Sequence, residues 1–250
     1  VAKSSGLGDA LFIAGYNASG DIQQLGRIGG GPALLNMTGI DKSAMERQGG
    51  LRDGAFEMTT FFNHDAVTPA THETLSALPR TDVILTYCRG TTLGDPAASL
   101  VGKQANYDPQ RGDDGALTFS VSAQANGYGI EWGQQLTAGV RTDTAATLGT
   151  GIDTVASASF GGQAYLQVFA FTGTDATVKI QDSADNSTFA DVTSFAFTQI
   201  TSGPTSERIA LANTATIRRY VRVSTVTTGG FTSLKFAVNL VKNEIAGVVF

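Results

Sequence analysis

The chain has 250 residues, 42% of them hydrophobic, with 30 glycines against 6 prolines and a formal charge of −5. That is enough apolar material for real cores and too much for a disordered chain, and abundant Thr, Ser and Gly with little Lys favour strands. No apolar run approaches the roughly 20 residues of a membrane-spanning helix, the first residues lack a signal peptide's basic-then-apolar pattern, and the acidic balance excludes a protein that grips nucleic acid with a basic stripe.

In chain order, residues 10–15 (ALFIAG) read as a short apolar strand and 21–31 as a polar strand ending in a Gly-Gly-Gly-Pro turn. Residues 39–54 are the most charged stretch, with Asp41, Lys42, Glu46, Arg47, Arg52 and Asp53. Bounded by glycines, they read as an exposed loop with at most one helical turn around 43–47. Residues 55–62 place Phe56, Met58, Thr60 and Phe62 on one face of a half-buried strand. One short helix follows, from about Pro69 to Leu78: Thr68 caps it, Pro69 suits its first position and Pro79 stops it. Leu75 and Leu78 give it a narrow apolar stripe, enough to cover a sheet but not to core a bundle.

Residues 83–87 are a strand rich in β-branched side chains, and Cys88, the lone cysteine, reads as a small core residue with no disulfide partner. Residues 102–107 and 116–124 alternate as paired strands around an open loop at 108–115, and Trp132, the single tryptophan, reads as a core anchor within 128–141. Small polar residues and glycines at 141–153 suggest a boundary, dividing a first domain (1–145) and a linker (146–152) from a second domain (153–250). Strands at 164–171, 176–182, 189–197, 206–211, 219–226 and 231–241 make that second part a compact β-sandwich of jelly-roll or immunoglobulin-like type. The end at 243–250 leaves an apolar tail able to dock on a neighbour or fray. Residues 1–150 hold ten Lys/Arg against fifteen Asp/Glu, whereas 151–250 hold seven of each, so the excess acidity lies in the first part. Like charge lets DNA slide past a surface without sticking.

No residue set reads as an active site. His64, Asp65, His72 and Glu73 invite a metal, but the spacing is not HExxH and no second histidine follows His72-Glu73 by one turn. Asp182, Asp185, Asn186 and Asp191 suggest a calcium loop at the wrong intervals, and the same residues are ordinary hairpin-turn chemistry. The glycines from Gly26 to Gly31 have no Lys-Ser or Lys-Thr after them, so they form no phosphate-binding loop. Asp108, Asp113 and Asp114 sit where nothing would desolvate a carboxylate pair. Arg218, Tyr220 and Arg222 share one side of a strand and read as a solvated face. No cofactor, metal or membrane insertion is expected.

The run HETLSALPRTDVILTYCR (His72–Arg89), with FFNHDAV before it and GDPAASLVGKQANYDPQRGDDGALTFSVSAQANGYGIEWG after it, resembles the major tail proteins of long-tailed actinobacterial phages. The resemblance is strongest over residues 22–144 and looser beyond. It implies a mainly β tail-tube fold, a β-sandwich or barrel with one helix, and a virion protein assembled in the bacterial cytoplasm. Six subunits would close into rings that stack as a tail tube, with DNA passing through the lumen and a tape-measure protein and tail terminator as partners. The sandwich at 153–250 would be displayed outside, where weak host-glycan contacts add up by avidity. Physical reasoning assigns stacking to 39–54, with the two chain ends as further candidates, so deleting 42–50 is expected to stop polymerisation and removing 152–250 to spare it. A head–tail joining or tail-completion ring and a carbohydrate-binding module stand as alternatives.

Overall fold

The structure, a computed structural model, describes residues 5–64 and 71–245. It is mainly β and antiparallel, as the composition predicts. The strands are β1 (Ala10–Ile13), β2 (Tyr16–Asn17), β3 (Ile22–Asn36), β4 (Arg47–Phe61), β5 (Val83–Cys88), β6 (Pro96–Arg111), β7 (Leu117–Ala125), β8 (Glu131–Gln135), β9 (Arg141–Asp143), β10 (Ile152–Asp153), β11 (Gly162–Gly173), β12 (Thr177–Ser183), β13 (Ala190–Ala196), β14 (Thr205–Ala210), β15 (Tyr220–Val226) and β16 (Phe231–Lys242), with helix α1 at Thr71–Leu75.

The first half is a sheet in the order β2-β1-β5-β6-β7-β4-β3. It wraps a core of Leu11, Phe56, Met58, Leu85, Leu100, Val121 and Ile130, with Leu75 of α1 packed into the same cluster. It does not close into a barrel, because β3 pairs with β4 alone and β2 with β1 alone. The helix is shorter than the sequence suggests. It ends at Leu75, and Leu78 is exposed with φ 42°, so a single leucine rather than a stripe covers the sheet. Its expected start at Thr68 and Pro69 lies outside the described residues.

The second half is a sandwich. Strands β14, β11 and β16 face the four-stranded sheet β10-β15-β12-β13 across a core that includes Leu166, Val178, Ile180, Phe195, Val223 and Phe236. All six strands predicted beyond residue 153 are present within two residues of their expected ends. Alternating buried and half-buried residues along β12 carry that pattern, with Val178 and Ile180 inward and Lys179 and Gln181 outward.

The halves share a sheet. Strand β8 lies between β6 and β16, pairing Ala98 with Trp132 on one side and Gln134 with Leu240 on the other. A side chain at Gly133 would run into the Leu240 carbonyl, so only glycine lets the two strands approach. The junction is packed by Phe12 against Phe169, edge to face at 4.9 Å, and by buried Tyr165 with Ile84 and Val101. It also carries a buried polar seam. Gln167 donates to the Ile84 carbonyl at 3.0 Å and accepts from Gly15 N–H at 2.7 Å, and Asn239 donates to Ser99 Oγ at 2.9 Å. The expected linker is tied to the sandwich: Gly149 N–H donates to Val223 O, Thr147 N–H to Thr225 Oγ1, and Ile152 is buried. Cys88 is buried as expected. Trp132 is not a core anchor, since on β8 its ring points away from the core and is 52% exposed.

Candidate assembly surfaces

Strands β3 and β4 form an arm. The two pair from Ile22↔Thr60 to Asn36↔Arg47, but β7 supports β4 only from Ala55 to Phe61. Residues 47–54 therefore have β3 as their strand partner and run past the edge of the sheet. The charged segment is correspondingly not one loop, as the glycines suggested. Arg47, Arg52 and Asp53 are strand residues, and only 37–46 form the tip. The glycines misled because Gly49 and Gly50 sit within the strand, where Gly50 leaves room for Leu35 across the ladder.

The tip is ordered by its own hydrogen bonds. Met37 N–H donates to Glu46 O at 2.9 Å, Glu46 N–H to Thr38 Oγ1 at 2.9 Å, and Thr38 Oγ1 to Asn36 Oδ1 at 2.6 Å. Lys42 lies 3.9 Å from Asp41 and 3.6 Å from Glu46. The structure thus brings Asp41, Lys42, Glu46 and Arg47 together at the end of the arm. Arg52 and Asp53 lie toward its base, where Asp53 accepts from Gln124 Nε2 at 2.9 Å and from Gly54 N–H at 2.7 Å. Those bonds, Gln124 first, hold the Asp53 carboxyl below the usual carboxylate range.

Between the charges, Leu34, Leu35, Met37, Ile40, Met45 and Leu51 are exposed. Reading the charges alone missed these side chains, although Ile40, Met45 and Leu51 stand within the charged segment and Leu34, Leu35 and Met37 just before it. Scattered exposed apolar residues are ordinary, but a group of six on one projecting hairpin marks a contact surface.

A second surface is the outer face of β4, β7 and β6. Glu57, Ser120, Ser122, Asp108 and Gln110 stand there, while Met58, Val121 and Tyr107 alternate into the core. Arg27 of β3 lies 3.9 Å from Glu57. A third is an open cleft of about 630 Å³ between β1 and β3, where the sheet fails to close. Leu11, Ile22, Leu25 and Ile28 line it along with Tyr87 and Trp132, whose rings meet edge to face at 6.3 Å. Tyr87 Oη donates to Asp9 at 2.5 Å, and Arg89 donates to the other Asp9 oxygen at 2.5 Å. Burial and the Asp9 carboxylate push the Tyr87 hydroxyl up to about 12.

The remaining titratable clusters have structural partners. His64 Nδ1 pairs with Glu73, and His72 Nδ1 meets Tyr107 Oη at 3.1 Å, with the two imidazoles 5.7 Å apart. Asp65 lies outside the described residues, and among those described no group of three His, Cys, Asp or Glu can hold a metal. Asp185 accepts from Thr188 N–H, Ser187 N–H and Ser183 Oγ inside a tight turn next to Asn186. Asp182 is taken by Arg218, and Asp191 by Lys179 and Gln181. Asp114 accepts from Ala116 N–H in the turn after β6, and Asp108 accepts from Asn106. The loop expected at 108–115 is shorter, because β6 continues to Arg111. Arg219 pairs with Asp153 and lies over Tyr220 at 5.1 Å, while Arg222 lies over Phe189 at 4.1 Å.

No family model and no curated protein matches the chain. Among solved structures it is similar to the Dit protein of phage SPP1, whose structure is described as a paradigm of the hub adsorption apparatus in phages infecting Gram-positive bacteria. Identity is 14%, coverage 94% of this chain and 99% of that one, and the TM-score 0.35. It is also similar to chains of the phage p2 baseplate in its activated conformation. The strontium-bound form gives 11% identity, coverage 95% and 99%, and a TM-score of 0.34. The calcium-bound form gives 10% identity, coverage 95% and 99%, and a TM-score of 0.32. Superpositions at this level do not define a shared function.

Proposed function

We propose that this chain is a structural subunit of a phage tail that closes into hexameric rings and stacks them into a tube. The single observation that carries the reading is the β3–β4 arm, which exposes six large apolar side chains and whose residues 47–54 have β3 as their one strand partner among the described residues. An unsupported two-stranded hairpin is marginal by itself in water, so such an arm is stable when a neighbour covers it. The resemblance of residues 22–144 to major tail proteins supports the same reading. The unpartnered edge of β3 is the kind of sheet edge that ring closure satisfies.

In that assembly the outer face of β4, β7 and β6 lines the lumen. Its hydroxyls and amides, with Glu57 and Asp108 and Arg27 held beside Glu57, give DNA no row of cations to bind. The sandwich at 153–250 forms the outer wall, with a tape-measure protein and a tail terminator as the partners that set tube length.

Negative-stain electron microscopy of the concentrated chain tests the reading, with hollow stacked rings of six expected. Single closed rings that never stack would favour a joining or completion protein instead. Replacing 37–46 by Asn-Gly, a two-residue turn that joins the Asn36↔Arg47 pair, is expected to leave a folded subunit that no longer stacks. Normal tubes from that variant would sink the stacking role.

A further inference from the structure

Trp132 is the one tryptophan of the chain, yet it is 52% exposed. The pairing of Ala98 with Trp132 and of Gln134 with Leu240 fixes β8 so that the indole faces outward. It lines the open 630 Å³ cleft between β1 and β3, where the Tyr87 ring meets it edge to face at 6.3 Å. Tyr87 is anchored in turn by its hydroxyl, which donates to Asp9 at 2.5 Å. Gln23 and Gln24 line the same cleft. Consecutive side chains of a regular strand point to opposite faces. Here the ladder steps from Ile22↔Thr60 to Gln24↔Thr59, a β-bulge that leaves Gln23 without a residue opposite and brings both amides to one cleft. Both glutamines are exposed, and neither side chain has a partner among the described residues.

We infer that this cleft binds a neutral saccharide, with one hexopyranose ring laid on the Trp132 indole. A pyranose carries both chemistries that the cleft presents, a face of C–H groups and an edge of hydroxyls. The C–H face suits the exposed aromatic wall. The hydroxyls suit primary amides, which donate and accept, and Asp9, whose Oδ2 keeps a lone pair beyond the Tyr87 bond. The Trp132 indole N–H, with no acceptor among the described residues, adds a donor. The leucine and isoleucine side chains beneath belong to the core of the first half, so recognition rests on the aromatic and polar groups. The volume lies within the ~300–1,000 Å³ of small-ligand sites.

Charge and polarity argue against other ligand classes. Among the described residues no Lys or Arg lines the cleft, so a phosphate or carboxylate would meet no cation there. A cationic ligand would find Asp9 already paired with Arg89 at 2.5 Å. An aliphatic group would cover Gln23 and Gln24 without replacing their hydrogen bonds to water. The site lies on the first half of the chain, not on the sandwich at 153–250 to which the resemblance assigned glycan contacts. It does not depend on ring formation, so the two readings stand or fall separately.

Isothermal calorimetry of the full chain against maltose, lactose and N,N′-diacetylchitobiose tests the site. At least one is expected to bind saturably below ~10 mM. As the only tryptophan, Trp132 also reports directly, and its emission should shift to shorter wavelength as the sugar covers it. Trp132→Ala and the double variant Gln23→Ala/Gln24→Ala, all at exposed positions, are each expected to weaken binding about tenfold or more. Retention on the same sugars coupled to agarose would identify a surface-borne glycan as the source, and binding of the free sugars alone a soluble one. No saturable binding of any of the three would overturn the inference. Binding that both variants leave unchanged would overturn it too, since the sugar would then sit elsewhere.

Discussion

Glu131 shows how much one residue can hold. Its side chain is fully buried on β8, where it accepts from Tyr165 Oη and lies 3.2 Å from Arg208 Nη2. Arg208 in turn lies over Tyr128 at 3.7 Å. Glu131→Ala would leave the Arg208 guanidinium buried with no carboxylate. The variant is expected to lose about 3 kcal/mol in urea unfolding, whereas a loss near zero would show that water replaces the carboxylate. Sequence reading passed over Glu131 because nothing local marks a lone Glu beside Trp132. Its partners come from residues 165 and 208, far along the chain.

Asp185 behaves in the opposite way, since its partners are local and its turn was legible. Thr188 N–H, then Ser183 Oγ and Ser187 N–H, lower its carboxyl to about 2 from a usual 3.8. Because the folded value is the lower one, the stabilisation is present above about 3.8 and is lost as pH falls toward 2. The melting-temperature gap between wild type and Asp185→Ala should therefore narrow over that window. A gap constant from pH 5 to pH 2 would exclude this carboxylate as its source.

At the scale of elements, the arm and the six sandwich strands mark the limits of local pattern. The sandwich strands were readable because alternation along Tyr220–Val226 and Thr177–Ser183 reports a buried face within the segment itself. The arm was not, because residues 47–53 have no buried face to alternate with. Their pairing is visible only once β3 lies beside them. Gly54 marks the change from arm to sheet: a Cβ there would meet Ile130 N at 2.8 Å and Leu100 Cδ1 at 3.3 Å. Gly54→Val is expected to destabilise the subunit by about 1–3 kcal/mol through overpacking. Leu51→Ser, on the exposed arm, should change monomer stability by less than ~0.5 kcal/mol and act only on assembly. Thermal melts of the two variants separate these effects, and a large loss from Leu51→Ser would mean the arm packs on its own subunit.

At the scale of the whole molecule, the two cores are separate clusters joined by a sheet that neither half completes alone. A chain cut before residue 152 would lose β16 from the edge of β8. It would also bare Phe12 and leave Thr86 and Ser99 without the side chains of Gln167 and Asn239. That truncation, expected from sequence to spare assembly, is now expected to lose its cooperative unfolding transition. A sharp two-state melt from residues 1–151 would show instead that the first half stands alone. By itself the sequence determined the strand-rich class, the sandwich strands, the local turns and the uneven charge, because each is written in neighbouring residues. Only the tertiary structure decided the shared β6–β8–β16 sheet, the exposure of Trp132, the open cleft and the reach of the arm. Each of these depends on which distant strands pair and which edge is left without a partner, and a strand's own residues specify its faces but not its neighbours.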